Sequence, residues 1–353
     1  MLVSLNIHHL RNIDTLYLNP HPRFNFIQGP NGSGKTSVIE AIHLLGSGYS
    51  FRTRETAPLI QNGQASLTVF SKTQAQDTIS IQKNLQGATV VRLNQQPCQR
   101  SSELAYLLPC LVFYHDLFQI IDAGPAVRRS ILDWGLFHVE HSYHGLWKEY
   151  RGVLKQRNAL LRQRDTNRQH YVPWDKLLVD LAEAIDPLRQ RYVQQWSERF
   201  QTYLAQLTDT AAQIRYDKGW DKKGTGKSLQ AILTDQFEQD LQRQYTFAGP
   251  QHADIIFDST QLKARQHWSR GQQKIILIAL KLAQAALIPK PCVYLMDDIT
   301  IELDQLHIQR LFDCLSNLAG QFFLTSVHSL GETANQQHGL TLTLPYSPPC
   351  QPG

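Results

Sequence analysis

Gly29, Gly32, Gly34, Lys35 and Thr36 stand in the stretch FNFIQGPNGSGKTSVIEAI, residues 24–42, at a spacing suited to holding nucleotide phosphates. The glycines let the backbone curl so that its N–H groups face phosphate oxygens. The positive end of the helix that follows adds to the attraction. Lys35 is placed to reach the β- and γ-phosphates of ATP, and the Thr36 hydroxyl to ligate Mg²⁺. The whole binding run is Gly29, Pro30, Asn31, Gly32, Ser33, Gly34, Lys35, Thr36 and Ser37. Its flanks are those the chemistry requires: Phe24, Phe26 and Ile27 form a buried strand before it, and Val38, Ile39, Ala41 and Ile42 recur at helical spacing after it. A second stretch, DKKGTGKS at residues 221–228, has Asp221 where the leading glycine belongs and no apolar strand ahead of it. It reads as a solvated basic loop.

A nucleotide site needs acids as well as a phosphate cradle, and these come from the far end of the chain. PCVYLMDD, residues 291–298, is an apolar strand that delivers two carboxylates at its C-terminal end, where open α/β sheets place their ligand crevice. Asp297 is assigned to the Mg²⁺ shell and Asp298 to the attacking water, which makes Lys35, Asp297 and Asp298 the catalytic set. In WSRGQQKIILIALKLAQAAL, Ser269 caps a helix, Gly271 and Gln272 lie in its first turn, and Ile275, Ile276, Ala279, Leu280 and Leu282 form its apolar face. That helix start is a second phosphate-binding surface, which one γ-phosphate does not need in the same subunit; it is expected to cap a nucleotide held by another copy. ELD, residues 302–304, is expected at the same seam. QFFLTSVHS adds a buried strand whose end carries Thr325, Ser326 and His328, near enough in sheet order to sense the γ-phosphate; Thr325 and His328 are both open as the sensor, with a structural role the alternative for His328.

Positioning such distant residues in one site constrains the architecture. Lys35 and Asp297 bracket most of a 353-residue chain, so the intervening sequence must build the same domain or leave and return. Between residues 66 and 94 the runs SLTVF, TISIQ and TVVRL alternate as antiparallel strands. From about residue 124 to 245 the period becomes helical. Trp174, Leu177, Leu181, Ile185, Leu188, Tyr192, Trp196, Phe200, Tyr203 and Leu207 recur every three or four residues, with a kink expected at Pro187. The predicted fold is α/β: an ATPase head of mixed parallel sheet, helices and an antiparallel β-subdomain, with an inserted, mainly helical arm. The head comprises residues 1–123 and 246–353, and the arm residues 124–245.

The net charge of +5 is too mild to indicate nucleic acid, but its placement is informative. Residues 147–168 hold seven Lys or Arg against two Asp or Glu. At about 100° per residue, Lys148, Arg151, Lys155 and Arg162 fall on one side of a helix, opposite Tyr150, Val153, Leu154, Leu160 and Leu161. Such a stripe suits a DNA phosphate backbone; a solvated face is the plainer alternative. Arg157, Arg164 and Arg168 point to the apolar side, where snorkelling or ion pairing is expected. Five cysteines, Cys98, Cys110, Cys292, Cys314 and Cys350, lie far apart without a Cys-x-x-Cys pair, against a disulfide framework or zinc site. No signal peptide or membrane-length apolar run is seen, so a soluble cytoplasmic protein is expected.

LRNI (10–13), GPNGSGKTSVIEAIHLL, SFRT (50–53), GPQHAD (249–254), SRGQQK and MDDITIELD occur in this order, and the whole chain resembles the RecF family of bacterial recombination mediators. That family is similar to the ATPase heads of the structural-maintenance-of-chromosomes group. The resemblance implies an ATP-dependent homodimer that clamps double-stranded DNA near single-strand/double-strand junctions. It also implies weak DNA-stimulated ATP hydrolysis, a role in repair, recombination, replication-fork maintenance and the SOS response, and recombinase loading with RecO and RecR. Tyr114 and His115 replace a Pro-Glu pair common in the family; Gln251, His252 and Ala253 replace His, Arg and Asp; Ile301 replaces Ser. A transporter's nucleotide-binding subunit is the alternative, disfavoured because such a subunit has no need of a basic arm.

Overall fold

Leu5 and Ile7 alternate with the polar Ser4, Asn6 and His8 in the first strand and are buried, as a sheet with one covered face requires. The computed structural model describes residues 1–222, 224–258, 268–327 and 339–344, with the side chains of residues 115 and 116 also outside the description. His328 and Cys350 lie outside the described residues.

The chain runs β1 (Leu2–Leu10), β2 (Ile13–Leu18), β3 (Phe24–Gln28), α1 (Lys35–Ser47), β4 (Ser66–Thr73), β5 (Thr78–Asn84), β6 (Thr89–Leu93), β7 (Gln96–Pro97), α2 (Ser101–Leu107) and β8 (Cys110–Phe113). It continues through α3 (Gln119–Asp122), α4 (Pro125–Val139), α5 (His141–Arg162), α6 (Val172–Leu207), β9 (Gln213–Asp217), α7 (Leu229–Asp235), α8 (Phe237–Arg243), β10 (Asp254–Asp258) and α9 (Arg270–Ala285). Last come β11 (Cys292–Met296), α10 (Gln305–Ser316), β12 (Gly320–Ser326) and β13 (Leu340–Thr343).

Two compact units result. The first comprises residues 1–117 and 290–353 and holds two sheets. A parallel sheet runs in the order β13-β3-β12-β11-β8, and a six-stranded antiparallel sheet in the order β2-β1-β4-β5-β6-β7. All five residues of β11 are buried, as a strand covered on both faces demands. Val38, Ile39, Ile42 and Leu45 of α1 share one core with Leu67, Val69, Ile79 and Ile81 of the antiparallel sheet and with Val293, Leu295 and Phe323 of the parallel one. The α/β head expected from the sequence is thus present.

The second unit comprises residues 118–289. Its spine is α6, a helix of 36 residues that runs through Pro187 without interruption. Pro187 is exposed, so the carbonyl left without a partner one turn earlier can turn to water. The face α6 buries is Leu178, Val179, Ala182, Ile185, Arg189, Tyr192, Trp196, Phe200 and Leu204, while Leu177, placed on that face by periodicity, is 45% exposed. Residues 246–289, grouped with the head on sequence pattern, lie in this unit. ADIIFD forms β10 and pairs antiparallel with β9 instead of joining either head sheet. α9 packs on α6, where Trp196 Nε1 donates to the Leu280 carbonyl at 2.9 Å and Gln284 Nε2 to the Tyr192 hydroxyl at 3.2 Å.

Candidate functional site

The phosphate loop joins β3 to α1, and Gly34 caps the helix at φ +102°, a left-handed value that a side chain would strain. A Cβ on Gly29 would stand 2.5 Å from the Leu344 carbonyl oxygen and 2.7 Å from Ser33 Oγ, so only glycine fits there. The Lys35 ammonium is folded across the loop, donating to the carbonyls of Gly29 at 2.8 Å and Pro30 at 3.1 Å. It spans the loop that a phosphate would enter.

LRNI braces this loop from outside. Asn12 Nδ2 donates to the Gly32 carbonyl at 2.6 Å, and Ser37 Oγ donates to Asn12 Oδ1 at 3.0 Å. Arg11 forks onto both oxygens of the buried Glu40 at 2.9 Å each. Ser50 of SFRT donates to the same carboxylate and accepts the Arg52 N–H at 2.9 Å, so Glu40 ties both family segments to α1. Phe51 packs on Tyr114, ring centroids 5.0 Å apart; the Tyr114 substitution therefore fills the space beside SFRT.

The register of the parallel sheet brings the acids to the loop. With β12 between β3 and β11, Thr325 pairs with Ile27 of β3 and Leu324 with Met296 of β11. Asp297 therefore leaves its strand level with Thr325. Thr36 Oγ1 donates to Asp297 Oδ1 and Oδ2 at 3.1 and 3.0 Å, across 261 positions of sequence. Thr325 Oγ1 donates to Asp297 Oδ1 at 2.7 Å and accepts the Asp298 N–H at 2.7 Å. Burial pushes the Asp297 carboxyl above the ordinary carboxylate range, and the hydrogen bonds from Thr325 and Thr36 pull it back. Asp298 sits at φ +44°, in a region non-glycine residues seldom occupy.

Arg11, Asn12, Lys35, Thr36, Arg52 and Asp298 line one cleft of about 660 Å³. The residues present fit a nucleotide with its cation. A buried Ser33 Oγ has no hydrogen-bond partner among the described residues, and a hydroxyl and a carboxylate meet at one edge of the loop. Lys35, Thr36, Asp297 and Asp298 are thereby brought together. Arg52, Asn12 and the bridging role of Thr325 have no assignment in the sequence reading. LRNI and SFRT had marked the first two only as motifs, and which way a hydroxyl points at a strand end has no sequence signal.

The helix start proposed as a second phosphate surface is capped by Ser269, as the spacing predicts. Ser269 Oγ accepts the Gln272 N–H at 3.3 Å and Gln272 Oε1 accepts the Ser269 N–H at 2.9 Å, a closed capping box at the start of α9. Gly271 lies between them in the first turn. Asp304 caps α10 by accepting the His307 N–H at 2.9 Å, which gives ELD a local role at the helix start. In the described part of DKKGTGKS, the Asp221 carboxylate accepts the N–H groups of Thr225 and Gly226 at 2.7 and 2.8 Å, where a phosphate cradle would offer them to a ligand.

On α5, Lys148, Arg151, Lys155 and Arg162 are all exposed and line a groove of about 590 Å³. Arg157 is fully buried instead, paired with Asp175 at 2.6 Å and Asp240 at 2.8 Å. Arg168 lies over the Phe237 ring at 5.5 Å, and Arg164 is exposed at φ +54°. GPQHAD is held by three arginines: Arg189 Nη1 donates to the Pro250 carbonyl, Arg129 Nη1 to that of Ala253, and Arg128 forks onto Asp254.

Comparison with known proteins shows the family and the fold. The RecF/RecN/SMC N terminal domain family matches residues 1–343. The chain is 37% identical over 335 residues to the DNA replication and repair protein RecF of Cellvibrio japonicus (strain Ueda107), covering 92% of this chain and 91% of that one. A solved structure described as the recombination mediator protein RecF-ATP in the RecFOR pathway superposes with a TM-score of 0.83 at 22% identity, over 97% of this chain and 95% of that one. An Smc head bound to the C-winged helix domain of ScpA does so at 0.59 and 16%, over 93% and 90%. With a family match spanning nearly its whole length and a RecF relative above one-third identity, the chain belongs to the RecF family, within the wider RecF/RecN/SMC N terminal domain family.

Proposed function

We propose that the chain is an ATP-dependent DNA-binding protein of recombinational repair and replication-fork maintenance. In this reading ATP held between two copies closes a dimer on duplex DNA near single-strand/double-strand junctions, and slow, DNA-stimulated hydrolysis reopens it. RecO and RecR are the partners through which it promotes recombinase loading. The observation that carries the reading is the hydrogen bonding of Thr36 to Asp297, which joins the phosphate loop to the acid-bearing strand from opposite ends of the chain.

Thr36 and Asp297 would hold Mg²⁺, which supplies positive charge against the β- and γ-phosphates when bound. Lys35 exchanges its bonds to the Gly29 and Pro30 carbonyls for phosphate oxygens. Thr325 keeps the Asp297 carboxylate turned toward Thr36, and Asp298 accepts the proton of the attacking water. Ser269 and Gly271 of a second copy close over the γ-phosphate, which couples nucleotide to dimer. Among the described residues no helix is long and apolar enough to cross a membrane. The test is a binding comparison of gapped, blunt and single-stranded DNA with and without ATP. Tighter binding to gapped DNA only with ATP supports the reading, and DNA affinity indifferent to ATP contradicts it.

A further inference from the structure

Just after α8, two aromatic rings face water on a backbone that is pinned in place. Gln244 ends the helix at φ +62°. Thr246 is 2% exposed, and its N–H and hydroxyl donate to Asn158 Oδ1 at 2.9 and 2.7 Å. The same hydroxyl accepts from the buried Arg157 at 2.8 Å. The Thr246 carbonyl accepts from Gln251 Nε2 and His252 Nε2, each at 3.2 Å, and the Phe247 N–H donates to Asp240 Oδ1 at 3.0 Å.

With Thr246 turned inward, its neighbours on either side remain outside. Tyr245 and Phe247 are 41% and 40% exposed, their ring centroids 6.3 Å apart. The His252 ring lies 6.4 Å from the first and 5.5 Å from the second, and the Arg243 guanidinium lies 4.4 Å from the centre of the Phe247 ring. Two aromatic rings held in water by so many hydrogen bonds form a surface that gains by being covered. The Arg243 guanidinium over the Phe247 ring adds positive charge, which favours a cover that is flat, aromatic and anionic.

The anchor of this segment identifies the ligand. Asn158 lies on α5 between Lys155 and Arg162, and all three line the same groove. The segment that carries the rings is therefore anchored on the helix that carries the basic stripe. We propose that Tyr245 and Phe247, flanked by His252 and Arg243, form a stacking platform for unpaired bases of single-stranded DNA, whose phosphates run past Lys155 and Arg162. This rests on the assignment of that stripe to DNA. It goes beyond it by giving the protein a way to tell unpaired from paired strands, because a base inside a duplex offers no free face.

The experiment is fluorescence anisotropy of labelled oligothymidine and of a blunt duplex, with wild type and with Tyr245→Ala/Phe247→Ala. Base–aromatic stacking corresponds to roughly 10–100-fold in affinity, so the double variant should bind oligothymidine that much more weakly and the duplex within about twofold of wild type. Tyr245→Trp should preserve or tighten oligothymidine binding, and an unchanged melting temperature of each variant confirms folding. Unchanged oligothymidine affinity, or equal losses on both ligands, overturns the proposal. Failure of the stripe assignment reads out separately, as unaltered duplex binding when the four stripe residues are replaced.

Discussion

Thr325 donates a 2.7 Å hydrogen bond to Asp297 and, with the same oxygen, accepts the N–H of Asp298. One hydroxyl at the end of a buried strand thus sets both the direction of the Asp297 carboxylate, for which a Mg²⁺ role is proposed, and the backbone of the residue assigned to water.

That arrangement makes Thr325 a positioning residue. Thr325→Val keeps the shape but removes donor and acceptor, and a hydrogen bond to a charged group contributes about 1.5–3 kcal/mol, so hydrolysis should fall roughly 10–100-fold. Thr325→Ser should restore it. ATP affinity measured without Mg²⁺ should stay within about twofold, since the lost bonds serve Asp297 and not the phosphate loop. Equal turnover in the Val and Ser variants would contradict the assignment.

Ser269→Arg tests the composite site. Because Ser269 is proposed to act on a nucleotide held by another copy, the variant should bind ATP with near wild-type affinity yet neither dimerise nor hydrolyse it. Isothermal titration with ATP checks the first point and sedimentation the second. Loss of nucleotide binding by the monomeric variant would place Ser269 in its own subunit's site.

The basic stripe makes a salt-dependent prediction. Each neutralised phosphate contributes about −0.9 to the slope of log affinity against log salt, so replacing Lys148, Arg151, Lys155 and Arg162 by Gln should flatten the slope on duplex DNA by up to ~3–4 units. Binding should weaken similarly across sequences, with DNA-free ATP hydrolysis unchanged. Parallel titrations from low to moderate salt, with ATP present, check it. Equal slopes would move the DNA surface elsewhere.

Arg157 carries a stability prediction. It is fully buried between Asp175 and Asp240, and burial already pushes the Asp240 carboxyl above its usual range while Arg157 pulls it down. Removing the cation leaves two buried acids without it, and breaking such a pair costs about 3–5 kcal/mol. Arg157→Ala should therefore lower the denaturant midpoint of the second unit substantially, whereas Arg162→Ala, on the exposed face, should move it little. Similar midpoints for the two variants would contradict the buried network.

The legible parts of this chain were those where one residue type has one physical use. The phosphate loop, the apolar strand ahead of Asp297 and the capping residue Ser269 follow from glycine conformation, periodicity and helix-end chemistry, and the structure forms each of them. Asp221 in place of a glycine likewise marks DKKGTGKS as no phosphate site, and its carboxylate accepts the N–H groups of Thr225 and Gly226. Illegible were the matters that pairing decides. ADIIFD has strand character, but only its partner β9 shows which sheet it joins. Arg157 and Arg168 both read as leaning toward an apolar face, yet one is enclosed between carboxylates and the other lies over an aromatic ring. Arg11 and Asn12 stood in a recognised motif with no chemistry attached until Glu40 and Gly32 came within reach.

The central claim is that ATP drives two copies together and hydrolysis releases them. Sedimentation velocity of wild type, Lys35→Ala and Asp298→Asn, each with and without saturating ATP and Mg²⁺, tests it most directly. Lys35→Ala should stay a folded monomer throughout. Asp298→Asn should accumulate as a dimer with ATP, because an amide keeps the shape of the site but cannot take the proton from water. A dimer of Lys35→Ala at saturating ATP, or normal ATP turnover by Asp298→Asn measured on the same samples, would contradict it.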